Sequence, residues 1–351
     1  MIGQIKIKNL TKLLILVTIL VINLGGVIRI YDAGESCPDW PKCFGTLGFD
    51  ISENEQEEWY NENPDEIDSR GKWHRYTTFE IFTEWIHRFL AGFILGPLVI
   101  LNWGLARWKN NYKKEIRIST TISLALIIWQ GAIGMLTVKM DNEHWSVILH
   151  LGSALIFMLS LIWIWMILAK EDRTDWFTFS PKISNLWKNK ILFMSSLTLL
   201  TLFSGTLVST SPGANNGCGV NGFYQSWPLC NNELISSISN IVEQSQMIHR
   251  WLVALVGIIL IRYSYLILKQ SDEDSLILKK WVLISTGIYL LNILLGGLYI
   301  ISWTPDGYFI EVLSLIHLLL ASGSFLLIAT LYIGFLIPQS NVKYDIIIPE
   351  D

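Results

Sequence analysis

The sequence is poor in charged residues. Asp, Glu, Lys and Arg make up 16% of its 351 residues, whereas soluble domains carry about 25%. Hydrophobic residues make up 51%, and Trp occurs 16 times. Lys and Arg do not outnumber Asp and Glu, and the formal net charge is -4. This composition excludes an ordinary soluble domain, and because there is no basic excess, no nucleic-acid partner is expected.

Apolar stretches of roughly 20 residues recur along the chain, which is the length at which a helix crosses a bilayer. They predict an all-α polytopic membrane protein whose main contact is with the lipid bilayer. The eight predicted spans cover roughly 13–31, 81–104, 118–138, 146–168, 191–210, 241–264, 281–301 and 311–336.

The basic residues predict the orientation of these spans. Most of the 26 Lys and Arg residues fall on one side if the N-terminus lies inside, including the run "RWKNNYKKEIR" at 107–117. Because basic loops remain cytoplasmic, both termini are expected in the cytoplasm. No A-x-A site follows the first apolar run, so we interpret it as a helix and not as a cleaved signal peptide. Since no Arg- and Ser-rich leader precedes it, a bacterial inner membrane is the expected location.

The second half of the chain repeats the first. A shift of 162 positions brings "EWIHRFLAG" (84–92) onto "QMIHRWLVA" (246–254) and Gly134 onto Gly296. Each repeat has an even number of spans, so the two copies are expected to run parallel, related by a pseudo-two-fold axis along the membrane normal. The predicted divisions are an N-terminal four-helix bundle, a cytoplasmic linker and a C-terminal four-helix bundle, at 1–169, 170–190 and 191–351.

Four of the six histidines lie in predicted spans, each one to two turns from the outer end of an even-numbered span: His87, His150, His249 and His317. Ionisable residues in spans are uncommon and usually functional, and imidazole is a common axial ligand of haem iron. Two histidines per repeat predict one haem per half, held by His87 with His150 and by His249 with His317. The alternatives are hydrogen bonds across helices or one tetra-His zinc or copper site, for which all four would have to converge.

The two repeats differ beside the first histidine of each pair. Glu84 precedes His87 by three positions, on the same helical face, whereas Gln246 stands at the corresponding position before His249. A carboxyl group can act as an acid or a base, whereas an amide does not ionise. Glu84 is therefore the candidate catalytic residue. The difference predicts reactive chemistry in the first half and an electron-transfer or structural haem in the second.

Three arginines near the predicted outer membrane boundary are candidates for binding haem propionates. Arg88 and Arg250 directly follow a candidate ligand, and Arg29 ends the first span. Propionates are anionic, and the Arg fork pairs with carboxylates. The alternative is that these side chains extend into the polar interface.

The chain has only four cysteines, none in a C-x-x-C motif. Cys37 and Cys43 lie in "ESCPDWPKCFG", and Cys218 and Cys230 lie in the corresponding outer loop of the second repeat. An even number on the oxidising face predicts the disulfides Cys37–Cys43 and Cys218–Cys230. "WPKC" returns as "WPLC", and the prolines stiffen the loop. We therefore favour a structural clasp, with Trp40 covering the haem edge, over a redox pair; a metal site is disfavoured because no histidine stands beside the loop.

These features resemble the haem A synthase family over nearly the whole chain. The resemblance rests on "SCPDWPKC", on "EWIHR", on "WQGAIGMLTV" in the third span and on histidines in the four even-numbered spans. It implies an oxidoreductase that converts a methyl group of haem O into a formyl group through hydroxylated intermediates, giving haem A for cytochrome oxidase. The expected substrate is haem O, handed over by a haem O synthase. The electron acceptor is unknown, and the oligomeric state stays open, with a homo-oligomer among the alternatives.

The resemblance also assigns roles to residues. It implies that His87 and His150 hold haem O or the product haem A, that His249 and His317 hold haem b, and that Glu84 is functionally important. Three features depart from the family pattern and put partner docking in doubt: an acidic segment at about 50–75 that is expected to be mobile, the wide spacing of the second cysteine pair, and Asn292 in the place that corresponds to Gln130.

Two other functions compete with this interpretation. A di-haem b-type cytochrome that exchanges electrons with quinone predicts the same four histidines, but it has no need of the difference between Glu84 and Gln246. A membrane thiol–disulfide oxidoreductase would favour closely spaced cysteines, which this chain lacks. A transporter has no clear use for four histidines at one depth.

Overall fold

A computed structural model describes residues 2–66, 70–71, 73–108, 112–170, 179–211, 213–220, 222–235, 241–271, 275–303 and 309–337. In this part of the chain, eight helical segments are long and apolar enough to cross a membrane, which confirms the predicted number of spans. The helices are α1 (Ile2–Ile30), α2 (Glu53–Glu62), α3 (Thr78–Phe89), a π-helix (Leu90–Leu95), α4 (Gly96–Leu105), α5 (Lys114–Lys139), α6 (His144–Lys170), α7 (Pro181–Thr210), α8 (Ile241–Leu268), α9 (Leu276–Ile301) and α10 (Glu311–Leu336).

The spans pack into two sets of four. In the first half, α1 packs against α3, α4 and α6, and α5 packs against α4 and α6. In the second half, α7 and α9 each pack against α8 and α10. The halves meet where α6 contacts α7 and α10, and where α1 contacts α10. The all-α polytopic fold is thus confirmed, while the two-fold axis that the repeat suggests stays a prediction.

The second span is one continuous helical segment with an irregular centre. It begins at α3, passes through the π-helix Leu90–Leu95 and continues as α4. Single π-turns are rare and occur frequently at functional sites, and this one begins three residues after His87. Pro97 follows at the second position of α4, inside this continuous segment, where it cannot donate the backbone hydrogen bond of a regular helix.

Helix α7 begins earlier than the sequence predicted. Ser180 accepts a hydrogen bond from the backbone N–H of Ile183 at 3.4 Å, and Pro181 occupies the first helical position. Ile183 and Trp187 are buried in an apolar cluster with Phe179. A capped first turn with a buried face extends the helix, so α7 begins at Pro181 and not near 191, while the division of the chain by a linker at 170–190 stays a prediction. Residues 171–178 of that linker lie outside the described residues.

The acidic segment of the first outer loop is partly folded. Ser52 and Glu55 form a capping box that starts α2. The side chain of Gln56 accepts from the backbone N–H of Tyr76 at 2.9 Å and donates to its carbonyl oxygen at 3.0 Å. The ring of Phe44 packs edge-on against Trp59. Residues 53–62 therefore form a helix docked on the cysteine loop, contrary to the expected mobile segment; 67–69 and 72 lie outside the described residues.

Both predicted disulfides are present. Cys37 is bonded to Cys43 and Cys218 to Cys230, with S–S distances of 2.04 and 2.10 Å. In each loop the second cysteine forms a β-bridge with the residue three positions later. The second loop also contains two paired two-residue strands, β1 (Phe223–Tyr224) and β2 (Trp227–Pro228). The two loops therefore share a local backbone arrangement at the same end of their helices.

Candidate functional site: two histidine pairs

Each intramembrane histidine lies with its imidazole against a glycine of the preceding span. This contact recurs four times, and a side chain on the glycine would collide with the ring or touch it closely. Cβ atoms built on Gly25, Gly134, Gly205 and Gly296 would lie 3.4, 3.1, 3.1 and 2.7 Å from Cε1 of His87, His150, His249 and His317, respectively.

Gly296→Ala is expected to displace His317 and to lower the haem content of the second half. The added Cβ would lie 2.7 Å from Cε1 and 3.0 Å from Nδ1 of His317, so the imidazole has to move. The measurement is the haem b content of the purified protein. Gly287→Ala in the same helix is the matched control, because a Cβ there meets nothing within 4 Å. Equal haem b content in the two variants would contradict this role of Gly296.

Three of the four imidazoles are anchored through Nδ1. His87 donates from Nδ1 to the carbonyl oxygen of Val21 at 3.0 Å, and His317 donates to that of Asn292 at 2.9 Å. Nδ1 of His249 lies 2.8 Å from the hydroxyl oxygen of Ser204, whose proton goes to the Thr201 carbonyl. With the ring proton on Nδ1, Nε2 keeps the lone pair that a metal requires.

The four intramembrane histidine side chains are half-buried within the spans. Two of them belong to each half, and each lies against a glycine of an odd-numbered span. Among the described residues, no group of three or more His, Cys, Asp or Glu side chains converges as a metal site. Imidazoles with Nδ1 anchored in three of four have the chemistry that haem ligands require, and the pairing of His87 with His150 and of His249 with His317 stays a prediction.

Glu84 is buried beneath the first cysteine loop, and only 4% of it is exposed. Its Oε2 accepts hydrogen bonds from the Ser36 hydroxyl at 3.0 Å and from the backbone N–H of Cys37 at 2.8 Å. Its Oε1 lies 2.5 Å from Nη2 of Arg88. The carboxylate is therefore held by an ion pair and two further donors, and these attach the start of the cysteine loop to helix α3.

Arg88 holds the same loop through its backbone. The guanidinium donates to the carbonyl oxygens of Asp39 at 2.5 Å, Lys42 at 2.8 Å and Cys37 at 2.6 Å. These bonds and the Glu84 ion pair use both terminal nitrogens. Propionate binding by Arg88 stays a prediction, and what the structure assigns to this side chain is the fixing of the loop.

The second half uses an amide in place of the carboxylate. Arg250 donates to the side-chain oxygen of Gln246 at 2.7 Å and to the carbonyl oxygen of Leu229 at 2.7 Å. Leu229 precedes Cys230 as Lys42 precedes Cys43. The arrangement of helix, arginine and cysteine loop therefore occurs in both halves, and the ionisable group occurs in the first.

Arg29 joins the two halves at their outer ends. Its guanidinium donates to the carbonyl oxygen of Ser209 near the end of α7, and it lies 3.4 Å from the carboxylate of Asp32. Asp32 also pairs with Arg70 at 3.3 Å. The assignment of Arg29 to a propionate stays a prediction.

The two loop tryptophans differ in their environment. A Cβ on Gly297 would lie 2.5 Å from Cε2 of Trp227, so this indole packs directly on the backbone of α9, beside the glycine that contacts His317. By alignment of the repeats, Met135 takes the place of Gly297 in the first half. Trp40 is 47% exposed, and its expected role as a cover of the haem edge stays a prediction.

Removing the Cys37–Cys43 bond is expected to loosen the support of Glu84. Replacing both cysteines with Ser removes the cross-link that restricts the unfolded chain, which lowers the free energy of unfolding by about 2 kcal/mol in the chain-entropy account. The hydrogen bonds from Arg88 still hold the loop near its position. We expect a lower melting temperature and, for the activity that the resemblance implies, a lower haem A yield with unchanged haem b. Replacing Cys218 and Cys230 by Ser is the matched control, with haem A yield less affected. Unchanged stability and product profile in the first double variant would make the clasp dispensable.

Sequence patterns revealed only part of this site. Gly134 and Gly296 were matched by the repeat, but Gly25 and Gly205 were missed, because the longer first loop breaks the register between the first and fifth spans. The missed signal is a glycine in each odd-numbered span. Ser204 was also missed, since a serine in a span is common and nothing in its spacing indicates His249.

The fold and the site define a polytopic membrane protein with eight spans and four intramembrane histidines. The model of the cytochrome oxidase assembly protein family matches residues 8–337. The chain belongs to this family.

Three curated proteins that are similar to this chain share the same name. "Heme A synthase" of Lysinibacillus sphaericus is 24% identical over 333 residues, 93% of each chain. "Heme A synthase" of Exiguobacterium sp. is 22% identical over 330 residues, 93% of this chain and 91% of the relative. "Heme A synthase" of Shewanella oneidensis is 34% identical over 158 residues, 44% of each chain.

Proposed function

We propose that this protein is a haem A synthase, which oxidises a methyl group of haem O to a formyl group through hydroxylated intermediates. The observation that carries the proposal is the difference between two otherwise matching sites. Glu84 and Arg88 form a buried ion pair beside the first histidine pair, whereas Arg250 donates to the uncharged amide of Gln246 beside the second. Family membership and the names of the relatives support the same function.

The first half is the proposed substrate half. His87 and His150 orient haem O, which reaches the site from the lipid after transfer from a haem O synthase. Oxidation of a methyl carbon releases electrons and protons; in this proposal the electrons pass to the second half, and Glu84 is the buried group that accepts protons. Arg88, Ser36 and the N–H of Cys37 keep the carboxylate oxygens in a fixed position near His87. Positioned groups of this kind contribute about 10²–10⁴-fold to a rate.

The second half is the proposed electron-transfer half. His249 and His317 present Nε2 to haem b, with Nδ1 anchored on Ser204 and on the Asn292 carbonyl. Haem b, when bound, exchanges single electrons with the first site. The neutral Gln246 has no proton to supply or accept, which suits a stable cofactor. Trp227 on Gly297 shields this site from the outer surface.

The proposed location is a bacterial inner membrane with the N-terminus in the cytoplasm. This orientation places both histidine pairs and both disulfides toward the oxidising face. The expected C-terminal position is also cytoplasmic, although residues 338–351 lie outside the described residues.

Expression in a bacterium that makes haem O but not haem A tests the proposed activity. The account predicts that membranes from cells with this chain contain haem A, identified by mass after extraction. Cells with the empty vector provide the control. Abundant, folded protein that carries haem b but yields only haem O would contradict the proposal and favour the b-type cytochrome.

A further inference from the structure

A surface groove lies between α7 and α8, in the part of these helices that is farther from the histidines. Its volume is about 380 Å³, which is in the size range of small-molecule sites. Arg262 follows His249 by 13 positions in α8, about 20 Å along the helix axis, so the groove is separate from the second histidine pair. The lining combines one residue of α7 with one face of α8: Phe193, Ile258, Ile259, Arg262, Tyr263 and Leu266.

The walls of the groove are apolar and open to the surface. Phe193 and Ile258 are both exposed, although α7 and α8 pack against each other. Because both helices are membrane spans, a surface cleft between them faces the lipid. An apolar cleft of this kind fits an acyl chain.

Arg262 is the charged residue among the six that line the groove. It is exposed, and within the described residues it makes no hydrogen bond, ion pair or ring contact with the protein. Ionisable side chains in membrane spans are costly and usually have a functional partner. The partner of Arg262 is therefore to be sought outside the protein.

Other basic side chains toward the same ends of the spans are engaged by the protein. Arg107 donates to the carbonyl oxygen of Arg117 at 2.7 Å. Nζ of Lys190 lies 4.5 Å from the centroid of the Trp187 ring. Arg262 differs from them, because its guanidinium is available to a ligand in the bilayer.

The first half has no charge at the corresponding place. The shift of 162 positions between the repeats brings Ile100 onto Arg262 and Leu101 onto Tyr263. Ile100 and Leu101 are exposed, as apolar residues on a lipid-facing helix surface are expected to be. The Arg–Tyr pair is therefore a local feature of the second half that the repeated fold does not require.

We propose that this groove binds an anionic phospholipid of the cytoplasmic leaflet, with an acyl chain between Phe193 and Ile258 and the phosphate at Arg262. In the proposed orientation α8 ends on the cytoplasmic side at Leu268, about 9 Å along the helix beyond Arg262. A long basic side chain at that depth extends to the level of the headgroups. Arg binds phosphate through two parallel N–H donors, and Tyr263 adds a hydroxyl.

Charge and shape together favour this occupant. Basic pockets between spans on the cytoplasmic side are a known type of anionic-lipid site, and this groove combines such a charge with an apolar cleft. The inference goes beyond the proposed function, because it concerns neither haem nor the histidines. A lipid in this groove would contact both α7 and α8 and would stabilise their packing.

Native mass spectrometry of the purified, delipidated holoprotein tests the inference. The protein is titrated in detergent with phosphatidylglycerol and, separately, with phosphatidylcholine. We expect one phosphatidylglycerol to bind about fivefold more tightly than phosphatidylcholine, the effect of one basic residue beside an anionic headgroup. Inorganic phosphate at the same concentration should not displace it, since phosphate lacks the acyl chain.

Two variants separate charge from shape. Arg262→Leu removes the charge, so it is expected to weaken phosphatidylglycerol binding about fivefold and to abolish the preference between the lipids. Ile258→Trp fills the cleft and keeps the charge, so it is expected to weaken the binding of both lipids. Lys280→Leu is the matched control, because it removes an exposed positive charge of α9 that does not line the groove. Melting temperatures show whether each variant is folded.

Several results would overturn the inference. Equal affinity of the wild type for the two lipids would do so, and so would displacement by inorganic phosphate; neither outcome depends on how the variants fold. Equal effects of Arg262→Leu and Lys280→Leu would mean that the preference reflects overall charge. Unchanged binding in Ile258→Trp would mean that the cleft holds no acyl chain. A wild-type dimer that Ile258→Trp dissociates would assign the groove to a second copy of the chain.

Discussion

Replacing Glu84 with Gln is expected to stop haem A formation while haem b stays bound. The substitution removes the ionisable carboxyl that lies buried one helical turn before His87, and it keeps nearly the same shape. Loss of a positioned proton acceptor costs about 10²–10⁴-fold in rate, so haem O or a hydroxylated intermediate should accumulate. The measurement is the mass profile of haems extracted from membranes that contain the variant.

The second half of the chain already has an amide at the position that corresponds to Glu84. Gln246 and Arg250 already form the corresponding amide–guanidinium bond at 2.7 Å in the second half, so the amide introduced by Glu84→Gln has a partner in Arg88. Glu80→Gln is the matched control. Glu80 lies one turn earlier and caps α3 together with Thr77, and Gln also satisfies a capping box. Full haem A yield from the Glu84 variant would remove Glu84 from the mechanism.

Single histidine replacements are expected to remove one haem and to spare the other. His87→Ala should abolish the substrate haem if, as proposed, its Nδ1-anchored imidazole holds that haem in the first half. His317→Ala should abolish haem b, since its Nε2 is the nitrogen available there. Haem O or haem A and haem b are quantified separately in each purified variant.

His144→Ala provides the control for these variants. His144 begins α6 and contacts the hydroxyl of Thr210 at 2.7 Å, away from both pairs, so both haems should remain. Loss of both haems from each single variant, with the protein still folded, would mean that the four histidines form one site. That result would contradict the assignment of one haem to each half.

Strong chemical patterns made much of this protein predictable. Apolar runs of fixed length predict helical spans, because a backbone in a bilayer must satisfy its own hydrogen bonds and has few alternatives to a helix. His87 and His249 were identified because an ionisable side chain in a membrane span is costly and is usually functional. The repeat of "WPKC" as "WPLC" indicated two matching disulfide loops. The difference between Glu84 and Gln246 was visible because each stands three residues before a histidine.

Other features depended on contacts that no local pattern contains. Arg88 was expected at a propionate, but it donates to three backbone carbonyl oxygens of the loop. Every residue has such a carbonyl, so the sequence does not reveal these contacts. The start of α7 was missed because Ser180 and Pro181 cap a helix in a polar stretch. Gln130 appeared only as a mismatch with Asn292, since no local pattern shows that its side chain donates to the backbone carbonyl of His150.

Identification of the haems in the purified wild-type protein tests the central claim most directly. The account predicts haem b together with haem O or haem A, and it predicts that His317→Ala removes haem b alone. Haem b as the sole species, in protein from cells that make haem O, would contradict the claim that the two halves hold a substrate and a cofactor.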